Sequence, residues 1–153
     1  MIITLKPKQK FKNRRDICDE LGGDTQKGIS ISNKINAILL VSNKEQIYKD
    51  DFYSKSNNKL LYTGIGQEGN QDDLKNNSEN YYLNIAVLSH KQNKKRLLVF
   101  DKIKNEYEFL GEYKLIETYQ NTQPDKKGCL RRVFVFHLER ITQENKKCLF
   151  RVI

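Results

Sequence analysis

The chain has no tryptophan, two histidines and three cysteines in 153 residues. Each scarcity removes a class of function. Cys18, Cys129 and Cys148 are widely spaced and form no CxxC pair, so neither a zinc site nor a disulfide framework can be read from them. They read as reduced thiols of a cytoplasmic protein. His90 and His137 are too few for an HNH-type catalytic cluster, and His137, set in an apolar stretch, reads as a packed histidine rather than a base. No apolar run approaches the roughly 20 residues of a membrane span. The opening Met1-Ile2-Ile3-Thr4-Leu5-Lys6 is too short and too charged for a signal peptide. There is no internal repeat, no low-complexity tract and no linker, so residues 1–153 read as one domain, long enough for a real core. No catalytic residue, metal ligand or cofactor is expected.

What is present is polar and basic. Mean hydropathy is −0.75, yet 37% of residues are hydrophobic and 10% aromatic, which argues against disorder. The net charge of +9 is uneven. Residues 1–16 hold six basic groups and one acid, residues 17–88 seven and ten, and residues 89–153 fifteen and eight. Basic excess at both ends favours a polyanionic partner. The competing reading is a high-pI protein whose charge is incidental.

The periodicity is mostly that of strands. Residues 12–21 read as a short helix, with Ile17 and Leu21 four apart and Gly22-Gly23 as the stop. Strands are expected at residues 28–32, 37–41, 59–63, 96–100, 107–113 (with a possible continuation to 119) and 130–138. Residues 79–86 read as a helical turn, or Tyr81-Tyr82-Leu83 as the opening of a strand; a turn is expected at 121–128 and an apolar tail at 149–153. About seven short strands with little helix suggest a mainly β, α+β domain folded as a closed or partly closed barrel.

The richest stretch is Leu61-Tyr62-Thr63-Gly64-Ile65-Gly66-Gln67-Glu68-Gly69-Asn70-Gln71, preceded by Tyr48-Lys49-Asp50-Asp51 and followed by Asn80. Aromatic rings can stack on an extruded base, a carboxylate can accept from an exocyclic amine, and glycines admit close backbone approach. Taken alone, Tyr62 is more often a core aromatic and Asp50-Asp51 an exposed turn. Their order and spacing, together with Gly28-Ile29 after Gln26 and the later Tyr107-Glu108-Phe109-Leu110-Gly111-Glu112-Tyr113, resemble the SRA (SET and RING-associated, or YDG) domain. The branch it most resembles is the bacterial one found with HNH nuclease domains in modification-dependent restriction enzymes. The resemblance spans residues 15–140, with Ile65 and Asn70 departing from the usual bacterial pattern.

The resemblance implies a PUA-like, SRA-like twisted β-barrel. Its partner would be double-stranded DNA bearing 5-methylcytosine or 5-hydroxymethylcytosine, with the modified base flipped into a pocket. Tyr48 and Tyr62 would sandwich that base, and Asp50 or Asp51 would bind its amine. Thr63 and Gly64 would shape the rim. Gln26, Gly28, Gln67, Gln71 and Asn80 would contact DNA or form loops, and the basic turn Lys94-Lys95-Arg96 would meet the backbone. The domain would be a recognition module without chemistry, its nuclease in an HNH or other partner. A methyl group is worth roughly 1 kcal/mol, at most about tenfold. The carboxylate selects cytosine over thymine, because thymine offers a carbonyl where cytosine offers an amine. Extrusion costs a few kcal/mol, which phosphate contacts must offset.

Two alternatives remain open. One is a PUA-like domain binding RNA or a modified nucleotide. The other is a small Mg²⁺-dependent nuclease built on Asp101, Glu112 and Lys114, whose spacing imitates a D…ExK site.

Overall fold

The structure, a computed structural model, describes residues 1–42, 51–52, 58–75, 78–143 and 145–153, with no side-chain description at 51–52. Ten strands and two helices lie among them.

Two short strands come first, β1 (Ile2–Leu5) and β2 (Lys10–Phe11), followed by helix α1 (Arg14–Leu21). The helix starts where the Asn13 side chain accepts from the Asp16 amide at 2.9 Å. It stops at Gly22, whose φ of 85° permits a left-handed exit and whose N–H donates to the Cys18 carbonyl at 2.7 Å. Ile17 and Leu21 are its buried face, as their spacing predicts.

β3 (Ile29–Ser32) and β4 (Ala37–Ser42) form an antiparallel pair. β5 (Asp51–Phe52), β6 (Lys59–Thr63) and helix α2 (Ser78–Leu88) follow, then β7 (Arg96–Ile103), β8 (Glu106–Pro124) and β9 (Leu130–Arg140). The last strand, β10 (Cys148–Arg151), pairs antiparallel with β1. The main sheet runs β3-β4-β7-β8-β9-β6-β5, with β2 paired to β8.

β4 and β7 are parallel and central, which explains their near-continuous apolar runs: both faces are covered. Ala37, Leu39, Val41, Leu98 and Phe100 face one core with α1, β1 and β10. Ile38, Leu40, Leu97 and Val99 face a second core, which holds Val87 of α2 and Phe136 of β9.

Three expectations are corrected. The sheet is twisted but does not close: among the described residues β3 pairs only with β4 and β5 only with β6, while α2 packs against β3. The expected continuation of residues 107–113 runs on as one strand of 19 residues, its pairing with β9 shifted by one at a bulge between Leu115 and Glu117, so residues 121–124, read as part of a turn, are strand. The first residues, read only as basic, contain a strand; Ile3 and Leu5 are buried and its partner is the apolar tail.

Candidate nucleic-acid interface

Four residues singled out in sequence meet in one place. A cavity of about 270 Å³ is lined by Gln26, Lys27, Gly28, Ile65, Gly66, Gln67 and Asn80. It lies between the segment entering β3, the loop leaving β6 and the first turn of α2.

The first wall is fixed by local chemistry. Asp24 Oδ1 accepts from the amides of Gln26 at 2.6 Å and Lys27 at 2.9 Å. Arg14 Nη2 donates to the carbonyls of Asp24 at 2.6 Å and Lys27 at 2.9 Å. Those amide bonds, with Arg14 nearby, hold the Asp24 carboxyl below its usual range, while burial lowers the Arg14 guanidinium. Arg14 is therefore a brace for the wall, not one of the free phosphate clamps that its basic neighbours suggest.

The second wall, residues 64–71, is a loop held by three buried polar side chains. Asn84 of α2 accepts from the Ile65 amide and donates to its carbonyl, both at 2.9 Å. Gln71 donates to the carbonyls of Gly64 at 2.5 Å and Gly66 at 3.3 Å, and accepts from the Phe134 amide at 2.9 Å. Arg131 donates to the carbonyls of Gly66 and of Gly69, the latter at 3.2 Å. The buried part of the loop, residues 64–66 and 71, must have its backbone groups satisfied, and these side chains bond the carbonyls of Gly64, Ile65 and Gly66 and the Ile65 amide. Gly64 is needed for space rather than for ligand approach. A Cβ there would lie 2.7 Å from Asn84 Oδ1 and 2.8 Å from Gln71 Oε1.

Several expected contacts are used differently. Gln71, read as a DNA-side loop residue, is 0% exposed and scaffolds the loop. Thr63 is buried, with its Oγ1 3.4 Å from Gln123 Nε2, so it does not stand on the rim. Tyr62, read as half of a base sandwich, is 2% exposed within the second core. Its hydroxyl lies 2.9 Å from the carbonyls of both Gly28 and Val41, tying the cavity floor to the end of β4. A stacking role would require the residues over its ring to part. Tyr48 and Asp50 lie outside the described residues. Asp51 is described by its backbone alone, opposite Leu61 in the β5–β6 pair.

The basic turn Lys94-Lys95-Arg96 is elsewhere. β4 and β7 are parallel with Ala37 opposite Arg96 and Val41 opposite Phe100. The turn is thus at the start of β4 and the cavity at its end, about 13 Å further on at roughly 3.3 Å per residue. Arg96 is also committed. Its Nε and Nη2 donate to both carboxylate oxygens of Glu112 at 3.1 and 2.7 Å, and its guanidinium covers the Phe150 ring at 4.1 Å. Lys95 Nζ donates to Asn36 Oδ1. Lys94 remains exposed, with φ of 55°. The cation at the cavity that the sequence reading passed over is Lys27, which lines it, and no charge run marks that residue in the sequence.

The imitation nuclease site does not assemble. Glu112 is opposite Leu98 and bound by Arg96, whereas Asp101 is opposite Glu108. Among the described residues, no group of three or more His, Cys, Asp or Glu residues could hold a metal ion. No helix there is long and apolar enough to cross a membrane.

The open twisted sheet, with a small cavity between an edge-strand loop, a glycine loop and a helix, has the architecture of an SRA domain. The chain belongs to the ScoMcrA-like SRA domain family, whose model matches residues 7–149. It is of the bacterial branch, and an SRA domain is not itself catalytic. Its fold is similar to that in "Sulfur binding domain and SRA domain of ScoMcrA complexed with phosphorothioated DNA", with TM-score 0.69, 18% identity, and coverage of 93% of this chain and 41% of that one. The SUVH5 SRA domain in its complex with hemi-methylated CG DNA gives TM-score 0.66 and 22% identity, covering 93% and 92% of the two chains. The modification-dependent restriction endonuclease AspBHI gives 0.66 and 12%, covering 94% and 44%. The chain spans 41% and 29% of the two ScoMcrA chains it matches. No curated protein matches it in sequence.

Proposed function

We propose that this domain recognises duplex DNA carrying a modified cytosine and receives the extruded base at the Gln26–Gly28/Gln67/Asn80 cavity. One observation carries the reading. Residues far apart in sequence, picked out by their order in the chain, line one cavity in an SRA-family fold. Its volume of about 270 Å³ is just below the usual range for ligand sites, about 300–1,000 Å³. Its walls are braced before any ligand arrives, which lowers the ordering cost of binding.

The aromatic and acidic contacts to the base fall to Tyr48 and to Asp50 or Asp51. β4 ends at Ser42, next to Val41, whose carbonyl lies 2.9 Å from the Tyr62 hydroxyl, and β5 places Asp51 opposite Leu61. The domain acts as the recognition module of a modification-dependent restriction system, with DNA cleavage supplied by a partner domain or subunit. SRA domains of SUVH5 bound to methylated DNA, and the restriction enzyme AspBHI, support both parts of this reading.

The test is fluorescence anisotropy on one duplex in plain, 5-methylcytosine, 5-hydroxymethylcytosine and phosphorothioate forms, across a salt series, with structured RNA as competitor. A preference for a modified cytosine that persists as salt rises, and that Tyr48→Ala or Asp51→Ala removes, is the expected result. Equal binding of all forms that fades steeply with salt leaves only a basic surface. Ready displacement by RNA shifts the reading to an RNA-binding domain.

A further inference from the structure

Lys27 was assigned no role from sequence. It lies in residues 17–88, where seven basic groups face ten acidic ones, and no charge cluster marks it. In the fold it is the cationic side chain among the residues lining the 270 Å³ cavity. It also lines a second cavity of about 460 Å³, bounded by Ile29, Ile31, Glu79, Tyr82 and Leu83. Lys27 thus stands between the two.

Its backbone is held at both ends, by Asp24 at the amide and Arg14 at the carbonyl, each at 2.9 Å. Among the described residues its ammonium pairs with the Glu79 carboxylate on the facing helix. The Glu79 side chain is 77% exposed, so the pair is a weak one in water, of the kind that contributes little to stability. A fixed backbone with a loosely held charge is suited to changing partners. A DNA phosphate brings a stronger, better oriented negative charge than a solvated carboxylate can offer.

We infer that Lys27 is the phosphate contact of the nucleotide entering the cavity, and that Glu79 holds it in reserve until DNA arrives. This rests on the recognition reading above. Phosphate approach exchanges one ion pair for another: Lys27 turns to the backbone and Glu79 is released to solvent. The ligand chemistry is the phosphodiester flanking the extruded base.

The experiment compares Lys27→Gln, Lys27→Arg and Glu79→Gln on plain and modified duplexes across a salt series. Lys27→Gln should weaken binding about tenfold and reduce the slope of log K against log salt by about 1, the signature of one lost phosphate contact. Lys27→Arg should keep most of the affinity. Glu79→Gln should tighten binding about threefold, because it removes the competitor. Opposite signs for Lys27→Gln and Glu79→Gln are what a shared, exchangeable lysine requires. If both variants weaken binding together and lower Tm together, the pair is a structural latch and the inference is wrong. An unchanged salt slope in Lys27→Gln also overturns it. If the wild-type domain shows no preference among duplexes, the recognition reading fails on its own, and the slope on plain duplex still decides the role of Lys27.

Discussion

The two ends of the β4–β7 pair carry cations used in opposite ways. At the start of the strands, Lys94-Lys95-Arg96 form an obvious basic run, yet Arg96 is held by Glu112 and Phe150, and Lys95 by Asn36. At the far end, the cavity has one inconspicuous lysine, paired among the described residues with a mostly exposed glutamate. Charge counted along a chain is not charge available to a ligand. A guanidinium with a two-point carboxylate partner and an aromatic under it stabilises the fold and has little left for DNA. The polar side chains follow the same division: buried Asn84, Gln71 and Arg131 support the cavity loop, while the half-buried pair Arg96–Glu112 supports the distant end.

The largest expected effect lies at the cavity end. Gly64→Ala places a Cβ within 2.8 Å of two side-chain oxygens that hold the loop. Overpacking and disrupted buried hydrogen bonds together should cost about 3 kcal/mol in urea unfolding, with loss of any base preference. A variant of wild-type stability would show that the loop is not braced as described.

The distant end should lose stability without losing function. Arg96→Met leaves the Glu112 carboxylate, 17% exposed, without its partner. The expected cost is about 2 kcal/mol, below the figure for a fully buried pair because Arg96 is about one-third exposed. DNA affinity and salt slope should remain as in the wild type. A slope reduced by about 1 would mean that Arg96 does reach phosphate, and the comparison would collapse.

The smallest effect is a pH dependence at that same end. His90 Nδ1 lies 3.0 Å from the Lys95 carbonyl, and Nε2 accepts from the Leu115 amide at 3.1 Å, so the ring is held neutral and ties the basic turn to β8. Burial pushes its pKa below the usual histidine value of about 6.5, partly opposed by the Lys95 carbonyl. A lowered histidine pKa means that the unfolded chain takes the proton more readily. The contribution is therefore complete above about pH 6.5 and lost as pH falls from there through the folded value. Denaturant unfolding from about pH 8 to about pH 5 should show this loss in the wild type and a flatter profile in His90→Gln. Equal profiles would remove His90 from the account.

Much of the fold was legible. Residues 37–41 read as a buried strand because five consecutive apolar residues suit a strand covered on both faces. Helix α1 announced itself through Ile17, Leu21 and the glycines behind them. β1 was not legible, since four residues beside lysines carry little periodicity until β10 is placed against them. Four residues singled out through the resemblance, Gln26, Gly28, Gln67 and Asn80, line one cavity. Tyr62, Thr63 and Gln71, read as pocket or DNA-side residues, are buried. Whether a residue at or beyond a strand's end faces a ligand or a core depends on what packs over it, and period-two alternation does not say which.

The sequence by itself determined a mainly β domain, the family resemblance and the positions of the chain that gather at the cavity, because these depend on local pattern and on the order of motifs. Tertiary structure alone decided that the sheet stays open, that Tyr62 ties Gly28 to the end of β4, that Arg96 is spent on Glu112, and that Lys27 stands between two cavities. Those outcomes depend on which groups from distant segments become neighbours. A charge or hydroxyl is available to a ligand only when no such neighbour has already taken it.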